Sequence, residues 1–208
     1  MKIIIIAAGS STRLGNQTIN VPKGLLKINN NSIIGTQLEL FRKDPNNEII
    51  IITGPNADKF NFKDVTYVND TEHQKHDVLG SFMTVRSIIN DDILTSYSDI
   101  IFEEKILESM IEFTGDIGIA VDLDWEKNYD GRDQHPKSEA ENVLIKENQI
   151  LKIRKNIVKR KENEKIGECL GLMKFSKNAS KMFLDKYSEL EKSHKGKFHN
   201  APSLEKAL

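Results

Sequence analysis

Two isoleucine runs without polar alternation constrain the fold of this chain more than any other feature. Residues 2–8 read KIIIIAA and residues 48–53 read EIIIIT. Continuous apolar runs of this length are typical of strands buried on both faces, as in a parallel sheet. Between them, residues 32–43 place apolar side chains at helical spacing after Ser32, a residue type favoured as an N-cap. The stretch therefore predicts a right-handed βαβ unit.

The alternation of strands and helices continues along the chain. We expect strands at 65–68, 92–97, 116–121 and 167–175, helices at 78–89, 102–113 and 179–191, and a hairpin from 142–145 and 150–153. This order predicts an α/β fold with a Rossmann-like, mainly parallel sheet and helices on both faces. We expect a single domain over residues 1–208, in which residues 122–166 form a polar loop and β-hairpin insertion.

Composition excludes several classes of protein. The chain has 208 residues, 29% charged and 38% hydrophobic, with a net charge of -1, which indicates neither a nucleic-acid nor a membrane partner. The single cysteine, Cys169, excludes an internal disulfide framework and a cysteine-rich zinc site. No apolar run reaches the roughly 20 residues that a membrane-spanning helix needs. A cytoplasmic enzyme or binding protein is the expectation.

The loop that follows the first strand carries groups suited to phosphate. Ligands of open parallel sheets bind beyond the carboxyl ends of the strands, which is where this loop begins. Gly9 permits close backbone approach, residues 10–12 supply three hydroxyls and successive N–H groups, and Arg13 adds a guanidinium fork. Lys23, stiffened by the preceding proline, adds a second cation. The pattern predicts a triphosphate site, and an ordinary strand-to-loop turn with surface charges is the alternative.

Several segments together resemble one enzyme superfamily. IIIIAAGSSTRLG at 3–15 and PKGLLKI at 22–28 resemble the signature of the nucleotidyltransferases that activate sugar phosphates and phosphocholine. SYSDIIF at 96–102 is similar to the strand end that carries the metal-binding aspartate of that superfamily. VDLDWEKNYDGRDQHPKSEAENV at 121–143 and GECLGLMKFS at 167–176 resemble the cytidylyltransferases of phosphonate and phosphocholine metabolism.

The resemblance implies a reaction and a division of roles. CTP would transfer CMP to a small phosphonate or phosphorylated alcohol, such as phosphocholine or aminoethylphosphonate, with release of pyrophosphate. Arg13 would hold the β- and γ-phosphates, Lys23 would neutralise charge on the α-phosphate and the attacking oxygen, and Asp99 would bind Mg²⁺. The second metal-binding carboxylate of the family would lie beyond Leu208, so we expect either a sequence cut short at its C-terminus or a protein that has lost this piece.

The resemblance also implies two groups of binding residues. The nucleotide is expected to contact Ala7, Ala8, Gly9, Ser10, Ser11, Thr12, Gly80 and Ser81. The acceptor is expected to contact Asp122, Asp124, Trp125, Tyr129, Glu139 and Lys155. Carboxylates mixed with aromatic rings suit an ammonium head group. Three alternatives stay open: Gly80 as a tight packing position at a helix start, Trp125 as a core anchor, and Lys155 as an ordinary exposed lysine.

Other functions remain open from sequence. One is a uridylyl- or thymidylyltransferase that acts on a sugar 1-phosphate, and another is a catalytically inactive nucleotide-binding module. Nucleic-acid binding through residues 152–165 is disfavoured because Glu162 and Glu164 interrupt the basic run. The sequence identifies neither the acceptor nor the oligomeric state.

Overall fold

The computed structural model describes residues 1–9, 21–132, 136–157, 161 and 163–193. These residues form ten strands and four α-helices. The strands are β1 (Lys2–Ala7), β2 (Lys27–Ile28), β3 (Asn31–Ser32), β4 (Glu48–Thr53), β5 (Thr66–Asn69), β6 (Ile93–Tyr97), β7 (Ile117–Asp122), β8 (Glu141–Lys146), β9 (Gln149–Lys155) and β10 (Glu164–Phe175). The helices are α1 (Ile33–Phe41), α2 (Val78–Met83), α3 (Glu104–Glu112) and α4 (Lys177–Ser193).

One eight-stranded sheet organises the molecule, in the order β5-β4-β1-β6-β10-β8-β9, with β7 also paired to β10. The strands β5, β4, β1 and β6 are parallel to one another, whereas β10 runs antiparallel to β6, β7 and β8. The predicted α/β fold with a parallel sheet is confirmed, and the second half of the chain extends that sheet with antiparallel strands. The carboxyl ends of β1, β4 and β6 therefore lie at one edge of the sheet.

The continuous isoleucine runs are buried because helices cover both faces of the sheet. Successive side chains of a strand point to opposite faces, so Ile3 and Ile5 pack towards α1 and α3 while Ile4 packs towards α2 and α4. All three isoleucines are fully buried. Burial of such a side chain contributes roughly 1.5–3 kcal/mol, so these runs anchor the sheet.

The first βαβ unit matches its prediction. Ser32 caps α1, because its hydroxyl oxygen accepts a hydrogen bond from the Gly35 amide at 3.0 Å. The strand predicted at 48–53 has the same bounds in the structure. Helix α2 ends at Met83, earlier than predicted, and the β-branched pair Thr84 and Val85 has low helix propensity.

A small hairpin formed by β2 and β3 was not predicted. Asn29 and Asn30 form its two-residue turn with positive φ values of 51° and 70°. Asparagine is one of the few residue types that adopt this conformation readily, which favours such turns in hairpins. The hairpin leads from Lys23 into α1 and so fixes the start of that helix. Among the described residues, no helix combines the length and apolar character needed to span a bilayer.

Candidate active site

At the carboxyl edge of the parallel strands, the backbone that follows β1 packs closely against the backbone that follows β4. Ala7 and Ala8 are buried at the end of β1, and a methyl group added to Gly54 would lie 2.3 Å from the Ala8 carbonyl oxygen. One added to Gly9 would meet no atom of the described residues within 4 Å. Among the described residues, none fills the space beside Gly9, where the predicted phosphate loop starts. Ser10, Ser11, Thr12 and Arg13 lie outside the described residues.

Lys23 and Asp99 lie together at this edge. The Lys23 Nζ is 3.4 Å from the Asp99 Oδ2, and the two side chains are 26% and 42% exposed. Asp99 follows β6, whereas Lys23 begins the short helical turn Lys23–Leu25 before β2. Two residues separated by 76 positions are thus brought to one accessible place.

Close backbone packing fixes the turn that carries Lys23. A methyl group added to Gly24 would lie 2.6 Å from the Ile34 Cδ1 and 2.8 Å from the Ser98 carbonyl oxygen. The Ser98 amide in turn donates to the Ile6 carbonyl at 3.2 Å. The Lys23 turn therefore rests directly against the residue that precedes Asp99.

The donor set at Asp99 fits Mg²⁺ held jointly with a nucleotide. Mg²⁺ is usually bound by one or two carboxylates, with substrate phosphates and waters completing its octahedron. The Asp99 carboxylate is partly exposed and follows β6, whose parallel neighbour β1 leads to Gly9. Within the described ranges, no group of three or more histidine, cysteine, aspartate or glutamate side chains could hold a metal. The arrangement suits a metal that arrives with a triphosphate.

Gly80 and Ser81 lie at the start of α2, beside a buried polar network. Asp70 is 2% exposed, and its Oδ2 accepts hydrogen bonds at 2.7 Å from both the Ser81 hydroxyl and the His76 Nε2. A methyl group on Gly80 would collide with the His76 side chain, at 2.3 Å. Gly80 thus has the packing role given above as its alternative, and the Ser81 hydroxyl is bound to Asp70. Contacts of either residue with a nucleotide stay a prediction.

Trp125 and Tyr129 form a small core of their own. They are 4% and 7% exposed and pack edge to face, with ring centroids 5.7 Å apart, against Ala140 and Ile166. The Tyr129 hydroxyl donates to the Glu168 carboxylate on β10. Trp125 therefore anchors the loop to the sheet, which was its alternative interpretation, and its contact with the acceptor stays a prediction.

The remaining predicted acceptor residues fall into two pairs. Asp122 accepts from the Asp124 amide at 2.8 Å, so these two aspartates shape the turn after β7. Lys155 donates to Glu139 across 2.7 Å, and both side chains are nearly half exposed. The structure thus brings Glu139 and Lys155 together at the end of strand β9.

Several carboxylates lie close to Tyr97 on β6 and Cys169 on β10; Glu141 belongs to the insertion expected on the acceptor side, whereas Asp77 and Glu168 were not singled out from sequence. Burial raises the pKa of the Tyr97 hydroxyl, and the carboxylates of Glu141, Asp99 and Asp77 raise it further. Burial also raises the pKa of the Cys169 thiol to about 12, with Glu141 and Glu168 adding to the shift. Glu141 thus acts on both Tyr97 and Cys169, and Asp99 acts on Tyr97. Because β8 and β10 are distant from β6 in sequence, only the sheet order shows that these groups are neighbours.

Comparisons with known proteins agree with this geometry. A family model described as the MobA-like NTP transferase domain matches residues 3–141. The CTP:phosphoglutamine cytidylyltransferase of Campylobacter jejuni is 27% identical over 191 residues, which cover 85% of this chain and 73% of that protein. The choline-phosphate cytidylyltransferase of Streptococcus pneumoniae is 33% identical over 98 residues, 47% of this chain and 42% of that protein.

A solved structure shows the same fold. The structure of the CTP:phosphocholine cytidylyltransferase from Streptococcus pneumoniae superposes with a TM-score of 0.61 at 20% identity. The superposition covers 93% of this chain and 78% of that one. At this level of identity the likeness establishes the architecture, and the chemistry has to be argued from the site.

Proposed function

This chain belongs to the MobA-like NTP transferase family of nucleotidyltransferases, and from that premise we propose that it is a CTP-dependent cytidylyltransferase. It joins CMP to a small phosphonate or phosphorylated acceptor and releases pyrophosphate. Two relatives, from Campylobacter jejuni and Streptococcus pneumoniae, are named as cytidylyltransferases, which supports CTP as the nucleotide.

The reaction brings one anion to another. A phosphate or phosphonate oxygen of the acceptor attacks the α-phosphorus, the bond to the β-phosphate oxygen breaks, and pyrophosphate leaves with that electron pair. The nucleophile is already ionised, so catalysis depends on positioning and on positive charge rather than on a strong base.

The protein supplies that positive charge from the carboxyl edge. Lys23 neutralises charge on the α-phosphate and the incoming oxygen, and Arg13 holds the β- and γ-phosphates. Asp99 holds Mg²⁺, which when bound neutralises further charge on the triphosphate. Ala7, Ala8 and Gly9 present backbone groups to the nucleotide.

The approach of the Lys23 ammonium to the Asp99 carboxylate, at the carboxyl edge of β1 and β6, carries this proposal. A cation for phosphate and a carboxylate for a metal are the two groups that nucleotidyl transfer needs within one cleft. An ordinary strand-to-loop turn with unrelated surface charges gives no reason for these two side chains to converge from distant segments.

The carboxylates near Tyr97 and Cys169 bear on the acceptor. Glu141 and Glu168 add negative charge beside Tyr97 and Cys169, and this field attracts an acceptor that carries an ammonium group. Lys155, bound to Glu139 at 2.7 Å, offers a cation to its phosphate or phosphonate. Phosphocholine and aminoethylphosphonate both have this charge pattern. We propose residues 122–166 as the acceptor side of the single domain.

A pyrophosphate-release assay tests the function. The full chain is incubated with Mg²⁺ and each of CTP, UTP, dTTP and ATP, against phosphocholine, aminoethylphosphonate, phosphorylated amino acids and sugar 1-phosphates. We expect release only with CTP and with a cationic acceptor. Release with UTP or dTTP and a sugar 1-phosphate would instead identify a sugar nucleotidyltransferase, and Mg²⁺-dependent CTP binding without release would identify an inactive module.

A further inference from the structure

A buried glutamine holds the turn that carries Asp99. Gln37 lies on α1 and is 1% exposed. Its Nε2 donates two hydrogen bonds, to the Tyr97 carbonyl at 2.8 Å and to the Ile100 carbonyl at 2.7 Å. These two carbonyls flank Ser98 and Asp99 in the chain, so a single amide group fastens both ends of the turn.

The side-chain oxygen of Gln37 is also held by a hydrogen bond. The Ser96 hydroxyl, which is fully buried, donates to the Gln37 Oε1 at 3.2 Å. This contact distinguishes the oxygen from the nitrogen of the amide and keeps both N–H groups directed at the turn. A buried polar group held on both sides in this way defines one geometry and costs stability if a partner is removed.

Two side chains of similar size, glutamate and methionine, cannot replace Gln37 without loss of these contacts. A glutamate at the same position lacks the two N–H donors and would place a carboxylate against two carbonyl oxygens. A methionine has similar length but donates nothing, so both carbonyls would lose this donor, although the Ser96 hydroxyl, at 3.2 Å, could still donate to the Tyr97 carbonyl. The site therefore requires glutamine chemistry as well as glutamine size.

We propose that Gln37 is a positioning residue for the metal-binding carboxylate of Asp99. This inference rests on the proposed function, since it assigns Asp99 a metal. Gln37 does not touch the reactants; it fixes the distance between β6 and the Asp99 backbone, and with it the approach of Asp99 to Lys23. Outer partners that orient a metal ligand are worth about 10- to 100-fold in metal affinity or activity.

The test compares Gln37→Met with a matched variant at the other end of α1. Asn47→Ala is that control, because the Asn47 Nδ2 also donates to a backbone carbonyl, that of Phe41 at 2.9 Å, but far from Asp99. The first readout is the Mg²⁺ concentration that gives half-maximal pyrophosphate release at saturating CTP. We expect it to rise about tenfold or more in Gln37→Met and to stay at the wild-type value in Asn47→Ala.

The second readout needs no activity. Amide hydrogen exchange of the segment 97–101 should become at least several-fold faster in Gln37→Met, whereas Asn47→Ala leaves this segment unchanged. If Gln37→Met does not fold, Ser96→Ala takes its place; it removes the hydroxyl that lies 3.2 Å from both the Gln37 Oε1 and the Tyr97 carbonyl oxygen, and we expect a smaller change in the same direction.

The outcomes separate the two proposals. Wild-type Mg²⁺ requirement and wild-type exchange in a folded Gln37→Met variant, or unchanged exchange in Ser96→Ala if that variant is needed, overturns the positioning role. If the wild-type protein releases no pyrophosphate with any nucleotide, the proposed function fails. In that case exchange of the segment 97–101 still decides whether Gln37 holds the turn, and direct titration of Mg²⁺ decides whether Asp99 binds it.

Discussion

The Lys23 ammonium lies 3.4 Å from the Asp99 carboxylate, although the two residues are 76 positions apart. The pair is partly exposed, and exposed ion pairs contribute only about 0–1 kcal/mol to stability. Stability alone therefore gives little reason for this approach. Its location at the carboxyl edge of a parallel sheet, where ligands bind, favours a role in catalysis.

Removal of the Lys23 charge should reduce turnover with little change in stability. We expect Lys23→Ala to lower kcat by about a hundredfold or more, the scale for loss of one preorganised electrostatic contact. We expect a similar loss for Arg13→Ala. Lys27→Ala is the matched control, because Lys27 is exposed on the neighbouring strand β2. Wild-type kcat in Lys23→Ala would remove Lys23 from the mechanism.

Neutralisation of Asp99 should act on the metal dependence. Asp99→Asn keeps the size of the side chain but loses the charge that attracts a divalent cation, so a much higher Mg²⁺ concentration should be needed for pyrophosphate release. Glu103→Gln serves as control, since Glu103 is an exposed carboxylate nearby that pairs with Lys105. An Asp99→Asn enzyme with a normal Mg²⁺ titration would contradict the assignment.

Two glycines at the site should respond differently to alanine. In Gly9→Ala the new methyl group meets no described atom within 4 Å, so the melting temperature should hold while CTP binding weakens because the backbone is shielded. In Gly24→Ala the methyl group would lie 2.8 Å from the Ser98 carbonyl, so both the melting temperature and kcat should fall. Thermal denaturation and CTP titration separate the two effects. Equal CTP affinity in Gly9→Ala and wild type would argue against close nucleotide approach at this position.

The parallel half of the fold could be predicted because its signals are local. Continuous apolar runs mark strands buried on both faces, and Ser32 marks a helix start, so β1, α1 and β4 follow from short windows of sequence. The hairpin of β2 and β3 was missed because two adjacent asparagines carry a weaker turn signal than Asn-Gly. The hairpin of β8 and β9 was predicted from its own segments, whereas the pairing of β10 with β6, β7 and β8 depends on long-range contacts that no local pattern contains.

The residues of the site likewise divide into those that the local sequence identified and those that it did not. Lys23 and Asp99 were proposed from the segments around them, and the structure brings them together. Gln37 was missed, because a glutamine among the apolar positions of a helix gives no sign of the turn that it will meet 60 residues later. Trp125 and Tyr129 were proposed as acceptor contacts because aromatic rings beside carboxylates suit an ammonium group. Their rings pack against Ala140 and Ile166, and their contact with an acceptor stays a prediction.

The Asp70 network should make stability depend on pH in the acidic range. Burial raises the pKa of Asp70, but hydrogen bonds from His76 and Ser81 outweigh it and lower the pKa below its usual value of 3.8. A carboxyl group with a lowered pKa in the folded state stabilises the protein above its unfolded pKa, and that stability is lost as the pH falls through the folded value. We therefore expect the free energy of unfolding to decrease below about pH 5.

Asp70→Asn should remove this contribution. The variant should be less stable at pH 7, and its free energy of unfolding should change less between pH 5 and pH 3 than that of the wild type. Denaturant unfolding across this range measures both effects, and Asp58→Asn, an exposed carboxylate paired with Lys59, is the control. Parallel pH profiles for Asp70→Asn and the wild type would show that Asp70 is not the group that titrates.

A crystal structure of the full chain with CTP and Mg²⁺ tests the central claim most directly. The account predicts the triphosphate at the carboxyl edge of β1, with phosphate oxygens within hydrogen-bonding distance of the Lys23 Nζ and the metal bound to the Asp99 carboxylate. A nucleotide bound elsewhere, for example in the cavity bordered by Asp70, Arg86 and Glu191, with Lys23 and Asp99 making no contact to it, would contradict the account.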